Sequence, residues 1–238
     1  MRKIPLLSIL SIFGVLSLWL LQSCGFAADV VKKNDLRNMN PAQALQRLID
    51  GNTRFTKNRL KTYRLDDQRY YLGKNGAFPP AVVLCGPDSK VSPELIFNQG
   101  LGDVFTLRSP ASVVTVEILG AMEHAARDIG SKVIVILAQT RDPYVEAAID
   151  NNNAGSFTAI NYHIRPSLDN IKRDPKWKKW NRDELVATVT HEHLILMMAK
   201  VQNISATLRG MIERGEITLV GGIYNVETGK ISFIKSDE

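Results

Sequence analysis

Two short polar segments of this 238-residue chain each follow a run of apolar residues and carry side chains that can do chemistry. The first segment holds Cys85, Asp88 and Lys90, and the second holds Gln139, Arg141 and Asp142. A thiolate or carboxylate can ligate a metal ion or act as a nucleophile or base, and the cations can pair with an anion. In open α/β folds, reactive groups gather where strands end, so both segments are candidate parts of one site.

The apolar runs predict buried strands of a mainly parallel sheet. They are short and continuously apolar, as strands covered on both faces are. Helical patterns lie between them, and strands that alternate with helices predict an α/β fold whose sheet is flanked by helices. The predicted strands are Ala81–Leu84, Val104–Leu107, Lys132–Leu137, Glu216–Val220 and Ile231–Ile234, and the predicted helices are Val113–Arg127, Pro143–Ile149 and one long helix from Arg182 to Arg214.

An N-terminal helical arm precedes the first strand. Asn40 and Pro41 begin a capped amphipathic helix that is predicted to end near Gly51. The polar stretch 52–76 has weak periodicity. It is predicted to be helix and loop that lie over the domain or over a second subunit.

Three segments carry a resemblance to a known family. Residues 81–91 read AVVLCGPDSKV, residues 93–105 read PELIFNQGLGDVF, and residues 220–230 read VGGIYNVETGK. These segments closely resemble the β-class carbonic anhydrases, and the resemblance extends over nearly all of the chain after residue 28. It implies the α/β fold predicted above, an enzyme family that converts CO2 and water to bicarbonate, and a homodimer or higher homo-oligomer.

The resemblance also implies where a zinc site would lie. In the family, the cysteine of a Cys-x-Asp-x-Arg motif and a His-x-x-Cys pair ligate a catalytic zinc, which lowers the pKa of its bound water to about 7. The three ligand positions correspond to Gly86, Gln139 and Asp142 of this chain, and the arginine corresponds to Lys90. Because all three ligands are replaced, we expect a divergent member of the family without a zinc cofactor.

Cys85 lies one residue from the lost cysteine, which leaves alternatives open. A metal site rebuilt from Cys85 and Asp142 would hold one soft ligand among oxygens, a set poorly suited to tight zinc binding. A shift of one residue along a strand turns a side chain to the opposite face, although the turn at Gly86–Pro87 can relax this rule. The other interpretations are a small buried residue and a nucleophile, and the nucleophile lacks a histidine base in either segment.

Asp88 and Lys90 occupy the positions of the Asp–Arg pair that lies beside the family's zinc, so they are the candidate catalytic residues. Lysine keeps the charge but lacks the planar fork of arginine, and a salt bridge that shapes the loop is an equal interpretation. Gln99 matches a family position that donates a hydrogen bond in the substrate pocket. Arg141 offers positive charge beside the same site, so bicarbonate or another small anion is a candidate ligand.

The histidines are not predicted to supply replacement ligands. His191 and His193 lie two residues apart on a predicted helix, so their side chains diverge. His124 and His163 are predicted to be surface or packing residues.

Residues 1–28 are predicted to be a secretory signal. Two basic residues precede the apolar run Ile4–Leu21, and small residues follow it. Residues 21–24, Leu-Gln-Ser-Cys, resemble a bacterial lipobox, so Cys24 is the predicted lipidation site and a lipid anchor the predicted membrane contact. Ordinary cleavage a few residues later and a retained transmembrane anchor are the alternatives. The sequence thus predicts an exported, periplasmic or cell-envelope lipoprotein with one domain at 29–238.

The formal net charge of +6 falls to +4 when the two basic residues of the signal are removed. This mild excess lies around Trp177 and Trp180, in Lys172–Arg173 and Lys176–Lys179. Such a cluster can contact nucleic acid or anionic lipid, but an exported protein meets little nucleic acid. A solvated helix face or an oligomer contact is therefore expected, with no nucleic-acid partner.

The leading functional hypothesis is an exported relative of the β-class carbonic anhydrases that has no zinc. It would be inactive or nearly so in CO2 hydration and would have a binding or structural role. The alternative is a carbonic anhydrase, or a related lyase, whose metal site is rebuilt from Cys85 and Asp142. The alternative predicts one metal ion per chain, lost when Cys85 is replaced by serine.

Overall fold

Five strands form the central sheet of the computed structural model, which describes residues 29–235. They are β1 (Ala81–Cys85), β2 (Val104–Arg108), β3 (Val133–Gln139), β4 (Thr218–Tyr224) and β5 (Ile231–Lys235). The strand order is β2-β1-β3-β4-β5; the first four strands pair in parallel and β5 pairs antiparallel with β4. The predicted α/β fold with a mainly parallel sheet is confirmed.

Helices cover both faces of this sheet. In chain order they are α1 (Lys33–Asn38), α2 (Pro41–Thr56), α3 (Leu65–Asn75), α4 (Pro93–Ile96), α5 (Val116–Glu123), α6 (Pro143–Ile149), α7 (Phe157–Lys172), α8 (Arg182–Ile204) and α9 (Ala206–Glu213). Two 3₁₀ segments lie at Pro110–Ser112 and Pro175–Lys179, and a π-helical segment follows α5 at His124–Ile129.

Strand side chains alternate between the two faces of the sheet, and each face has its own core. On one face, Val82 and Leu84 belong to a cluster with residues of α5, α8 and α9. On the other face, Val83 and Cys85 belong to a cluster with residues of α2 and the end of α4. A third cluster joins α6, α7 and α8. All of these clusters consist of residues in the described range 29–235, and the single domain at 29–238 stays a prediction.

The first predicted helix boundary is wrong for a packing reason. Helix α2 does not end near Gly51 but continues to Thr56. Gly51 lies inside the helix. The backbone of Phe97 crosses the helix so closely here that a Cβ added at Gly51 would lie 1.6 Å from the Phe97 carbonyl oxygen. The glycine is therefore a contact point and not a helix stop.

Two other predicted helices are also divided. The predicted helix 113–127 begins only at Val116, after the N-cap Thr115, and its last part is the π-helical segment. The predicted long helix breaks at Ser205, whose Oγ accepts a hydrogen bond of 3.0 Å from the backbone of Leu208 and so caps α9. A capping side chain accepts hydrogen bonds from the free backbone N–H groups at the start of a helix. It therefore stabilises the start of a second helix over the continuation of the first.

The arm between α2 and β1 lies over its own domain. Asn98 accepts a hydrogen bond from Arg54 at 2.8 Å and one from the backbone of Lys61 at 2.8 Å. The hydroxyl of Tyr63 donates to the carbonyl of Asn98 at 3.0 Å. The buried Gln68 of α3 accepts from the backbone of Leu101 at 3.0 Å.

The predicted signal segment, residues 1–28 with Cys24, lies outside the described residues. Between residues 29 and 235, no helix is both long enough and apolar enough to cross a membrane.

Candidate functional site

The two polar segments singled out by the sequence leave the same edge of the sheet. Strands β1 and β3 are parallel neighbours, with Cys85 opposite Leu137. The segments that follow them, Gly86–Lys90 and Gln139–Asp142, therefore lie side by side at the carboxyl ends of the strands. This is the place where open α/β sheets hold their reactive groups.

Asp88 is the centre of the polar contacts between these segments. Its Oδ2 accepts a hydrogen bond of 2.9 Å from Nε2 of Gln139 and lies 2.8 Å from Nζ of Lys90. Its Oδ1 accepts a hydrogen bond of 2.9 Å from the backbone of Lys90. Burial acts to raise the pKa of Asp88, but the hydrogen bonds from Lys90 and Gln139 outweigh it and lower the pKa to about 2. Asp88 is therefore ionised at neutral pH, and both of its oxygens already have donors.

Gln139, predicted to stand at the position of the family's histidine, is buried, with 2% of its surface exposed. Its Nε2 is engaged by Asp88, whereas its Oε1 has no hydrogen-bond partner among the described residues. The position of Gly86 is open, because a Cβ added there would meet only the backbone nitrogen of Asp88, at 4.0 Å. This position therefore has room for a side chain.

Asp142, predicted to stand at the position of the family's second cysteine, caps helix α6. Its Oδ1 accepts hydrogen bonds from the backbone of Tyr144 at 2.9 Å and of Val145 at 3.4 Å. It is 4% exposed, and this burial raises its pKa to about 6, although the two backbone hydrogen bonds oppose the shift. The negative charge of Asp88 adds to the increase, which shows that the two carboxyls share one electrostatic environment.

Cys85 packs in the core on the α2 side of the sheet and has no exposed surface. Burial raises the pKa of its thiol to about 11; the nearby Arg108 lowers it and Glu94 raises it further. The thiol is therefore protonated at neutral pH and is a poor ligand and nucleophile in that form. These properties are those of the small buried residue that was one of its three interpretations.

Arg108 is a site residue that the sequence patterns did not single out. Its Nη1 donates to the carbonyl of Gly86 at 3.0 Å and to the carbonyl of Val91 at 2.9 Å, so it holds both ends of the loop after β1. It is the last residue of β2 and lies opposite Cys85 in the register. The sequence alone does not assign Arg108 to the site, because an arginine at the end of a strand can have many partners. Its pairing with β1 in the sheet is what places it there.

The structure separates Gln99 and Arg141 from the contacts of Asp88. Gln99 is buried and donates to the carbonyls of Phe97 at 2.8 Å and Arg47 at 3.2 Å. It lines a cleft of about 130 Å³ formed mainly by α2 and the arm. Arg141 is largely exposed and pairs with Glu227 at 3.1 Å. It lines a different cavity of about 290 Å³ between the ends of β3 and β4 and the start of α8.

The histidines do not join the site. His193 is buried and contacts Oγ of Ser167 at 3.2 Å and the carbonyl of Ala111 at 3.1 Å, whereas His191 is exposed. His124 is exposed and pairs with Asp128 at 3.0 Å. Within the described part of the chain, no three His, Cys, Asp or Glu side chains lie close enough together to hold a metal ion.

Comparison with known proteins agrees with this fold and with the resemblance of the motifs. The family model of carbonic anhydrase matches residues 81–231. Carbonic anhydrase 2 of Mycobacterium tuberculosis is 31% identical over 199 residues, which cover 81% of this chain and 92% of that protein. The structure of the β-carbonic anhydrase CcaA superposes with a TM-score of 0.64 at 19% identity, over 80% of this chain and 91% of the other. One of two β-carbonic anhydrases of Sordaria macrospora, described as tetrameric, superposes with a TM-score of 0.62 at 18% identity, over 70% of this chain and 90% of the other.

The sheet, its flanking helices and the paired loops after β1 and β3 define an α/β protein of the carbonic anhydrase type. The chain belongs to the β-class carbonic anhydrase family.

The residues predicted to stand at the family's zinc-ligand positions do not fit zinc. Gly86 has no donor atom, Gln139 offers an amide already bound to Asp88, and Asp142 uses its carboxylate to cap α6. Structural and catalytic zinc sites need three or four nitrogen, sulfur or carboxylate ligands around one point. A single engaged carboxylate does not meet that requirement, so these three side chains as placed here do not form a zinc site.

Proposed function

We propose that this protein is an exported member of the β-class carbonic anhydrase family that does not hydrate CO2 and that acts by binding or as a structural component. The observation that supports this most is the hydrogen bond between Gln139 and Asp88. Gln139 is predicted to replace the family's histidine ligand, and Asp88 corresponds to the carboxylate beside the family's zinc. The hydrogen bond joins these two residues directly.

Hydration of CO2 at neutral pH needs a group that makes hydroxide from water, which a bound zinc ion does by lowering the pKa of that water. Asp88 has a pKa of about 2 and does not take a proton from water, and the thiol of Cys85 has a pKa of about 11. Neither residue replaces the metal as a source of hydroxide. The proposed lack of activity follows from these two groups and from the missing ligands.

A second candidate function is a carbonic anhydrase, or a related lyase, with a metal site rebuilt from Cys85 and Asp142. In its favour, the pKa of Asp142 is about 6, so the carboxylate form that a metal ligand needs predominates at neutral pH. Against it, Asp142 already accepts two backbone hydrogen bonds, and Cys85 packs in the core beneath α2. We therefore favour the first function.

The partners follow from the family and remain proposals. Homo-oligomers are expected because a relative of the same fold is described as tetrameric. A bound bicarbonate has less support, because Lys90 pairs with Asp88 and Arg141 pairs with Glu227. Export and lipidation at Cys24 rest on the sequence of residues 1–28; intact mass of the protein purified from cell envelopes would test both.

The activity is tested by stopped-flow CO2 hydration with residues 29–238. We expect the wild-type protein with added zinc to match the buffer rate. The triple variant Gly86→Cys, Gln139→His and Asp142→Cys restores the family's ligands, and the open space at Gly86 accepts the new side chain. We expect the triple variant to bind about one zinc per chain and to hydrate CO2 above the buffer rate.

The single variant Gly86→Cys is the matched control, because it adds one thiol without completing the ligand set. Zinc-dependent hydration by the wild-type protein would contradict the proposed function. An active triple variant beside an inactive wild type would show that the ligand positions alone separate this chain from its enzymatic relatives.

A further inference from the structure

Residues 172–180, which we call the Lys–Trp segment, connect α7 to α8 and contain the 3₁₀ segment Pro175–Lys179. The charged residues of the segment are Lys172, Arg173, Asp174, Lys176, Lys178 and Lys179. Its net charge of +4 equals that of the whole chain after residue 28, because the remaining residues carry 23 basic and 23 acidic side chains. All of the excess positive charge of 29–238 therefore lies in nine consecutive residues.

The same segment holds both tryptophans of 29–238. The chain has three tryptophans, and the third is Trp19, which lies in the predicted signal. Trp177 and Trp180 are partly exposed, and most of the cations around them are exposed. Nζ of Lys172 lies 5.5 Å from the ring centroid of Trp177, so lysine and indole already share one surface.

The cations of the Lys–Trp segment have no carboxylate partners among residues 29–235. Arginines on the flanking helices are paired: Arg165 with Asp169 at 3.0 Å and Arg182 with Asp150 at 2.7 Å. The one carboxylate within the segment, Asp174, instead accepts the backbone N–H of Lys176 at 2.9 Å and caps the 3₁₀ segment. The positive charge is therefore concentrated, and no carboxylate between residues 29 and 235 neutralises it.

This combination fits an anionic lipid surface better than a protein surface. Lysine is depleted in protein–protein interfaces, whereas clustered lysines attract anionic headgroups, and tryptophan prefers the boundary between headgroups and acyl chains. We propose that the Lys–Trp segment docks the folded domain onto a membrane that contains anionic lipids. The proposal is independent of the zinc site and of the predicted anchor at Cys24, because it concerns residues that remain when 1–28 are absent.

The test uses residues 29–238 and lipid vesicles of phosphatidylcholine with and without phosphatidylglycerol. We expect the protein to sediment with the anionic vesicles at low salt and to remain in solution with pure phosphatidylcholine or in high salt, since salt screens the attraction. Both fluorescent tryptophans belong to the segment, so their emission should shift to shorter wavelength on binding.

The charge-reversal variant Lys176→Glu, Lys178→Glu and Lys179→Glu should bind at least about 100-fold more weakly, because each basic residue near an anionic surface contributes about fivefold. The matched control Lys57→Glu, Arg59→Glu and Lys230→Glu has the same net charge but changes exposed cations elsewhere. The control should retain wild-type binding, and circular dichroism checks that both variants are folded.

Several outcomes would overturn the proposal. These are no binding of the wild-type protein to anionic vesicles, equal binding to neutral vesicles, and an equal loss in the control variant. Tighter binding of the wild-type protein to a single-stranded oligonucleotide than to the vesicles would also overturn it and would assign the segment to nucleic acid.

Discussion

Nε2 of Gln139 donates a hydrogen bond of 2.9 Å to Oδ2 of Asp88, so a side chain at the end of β3 holds the carboxylate of the loop after β1. Lys90 supplies the other two donors to Asp88. The loops after β1 and β3 are thus joined by side-chain hydrogen bonds that meet at Asp88.

The thiol of Cys85 is predicted to be inert in the folded protein. Its side chain is fully buried and its pKa is raised to about 11, so the reactive thiolate is scarce at pH 8. With residues 29–238, a thiol-reactive chromophore should label no cysteine in buffer and one per chain in denaturant. The variant Ser89→Cys places a thiol at an exposed position of the same loop and should react at once. Rapid labelling of native Cys85 would revive its nucleophilic interpretation.

Asp142 is predicted to contribute to stability as an N-cap. Replacement by alanine removes the acceptor for the backbone of Tyr144 and Val145 and should lower the free energy of unfolding by about 0.5–2 kcal/mol. Replacement by asparagine keeps an acceptor and should cost much less. Urea unfolding at pH 7 measures both. If the two variants instead lost a bound metal equally, Asp142 would be a ligand and not a cap.

His193 is predicted to make the protein less stable in acid. Burial lowers its pKa to about 4, although the carbonyl of Ala111 acts in the opposite direction. The unfolded state therefore binds a proton below about pH 6.5 while the folded state stays neutral. The stability that depends on the neutral ring is present above pH 6.5 and is lost as the pH falls toward 4, by up to about 3 kcal/mol.

The change His193→Gln should make the free energy of unfolding less dependent on pH between 7 and 4.5, as measured by urea unfolding. His191→Gln is the matched control on the same helix, because His191 is exposed and should leave the slope unchanged. An unchanged slope in the His193 variant would show that another group causes the acid sensitivity.

Gly51 and Gly73 are predicted to respond in opposite ways to alanine. At Gly51, the added Cβ would lie 1.6 Å from the carbonyl oxygen of Phe97, so Gly51→Ala should lower the free energy of unfolding by about 3 kcal/mol or more. At Gly73, in α3, an added Cβ meets nothing within 4 Å, and Gly73→Ala should raise it by about 0.5–1 kcal/mol. Thermal unfolding of the two variants compares them directly; equal effects would contradict the packing described for α2.

The sheet was predictable because its strands are buried on both faces and read as continuous apolar runs. The two site loops were predictable because they follow β1 and β3, which are neighbours in the sheet. The sequence pattern gave a wrong helix boundary where a contact with a distant part of the chain determined the structure. Gly51 was interpreted as a helix stop, but it lies inside the helix. A glycine stands there because the backbone of Phe97 passes too close for any side chain.

Side-chain partners across the chain were beyond sequence patterns for the same reason. Arg108 bonds the carbonyl of Gly86, 22 residues away, and Arg141 pairs with Glu227 after a larger separation. The expectation that Arg141 offers free charge to an anion did not foresee this pairing. The sequence around an arginine does not predict which distant group it contacts. These contacts become evident only in the structure, where the sheet brings the loops together.

The most direct test of the central claim is the metal content of residues 29–238, measured by plasma mass spectrometry after dialysis without chelator. The replacement of the ligands by Gly86, Gln139 and Asp142 predicts a folded protein with far less than one zinc per chain. About one zinc per chain, lost in Cys85→Ser, would contradict the claim and establish a rebuilt metal site.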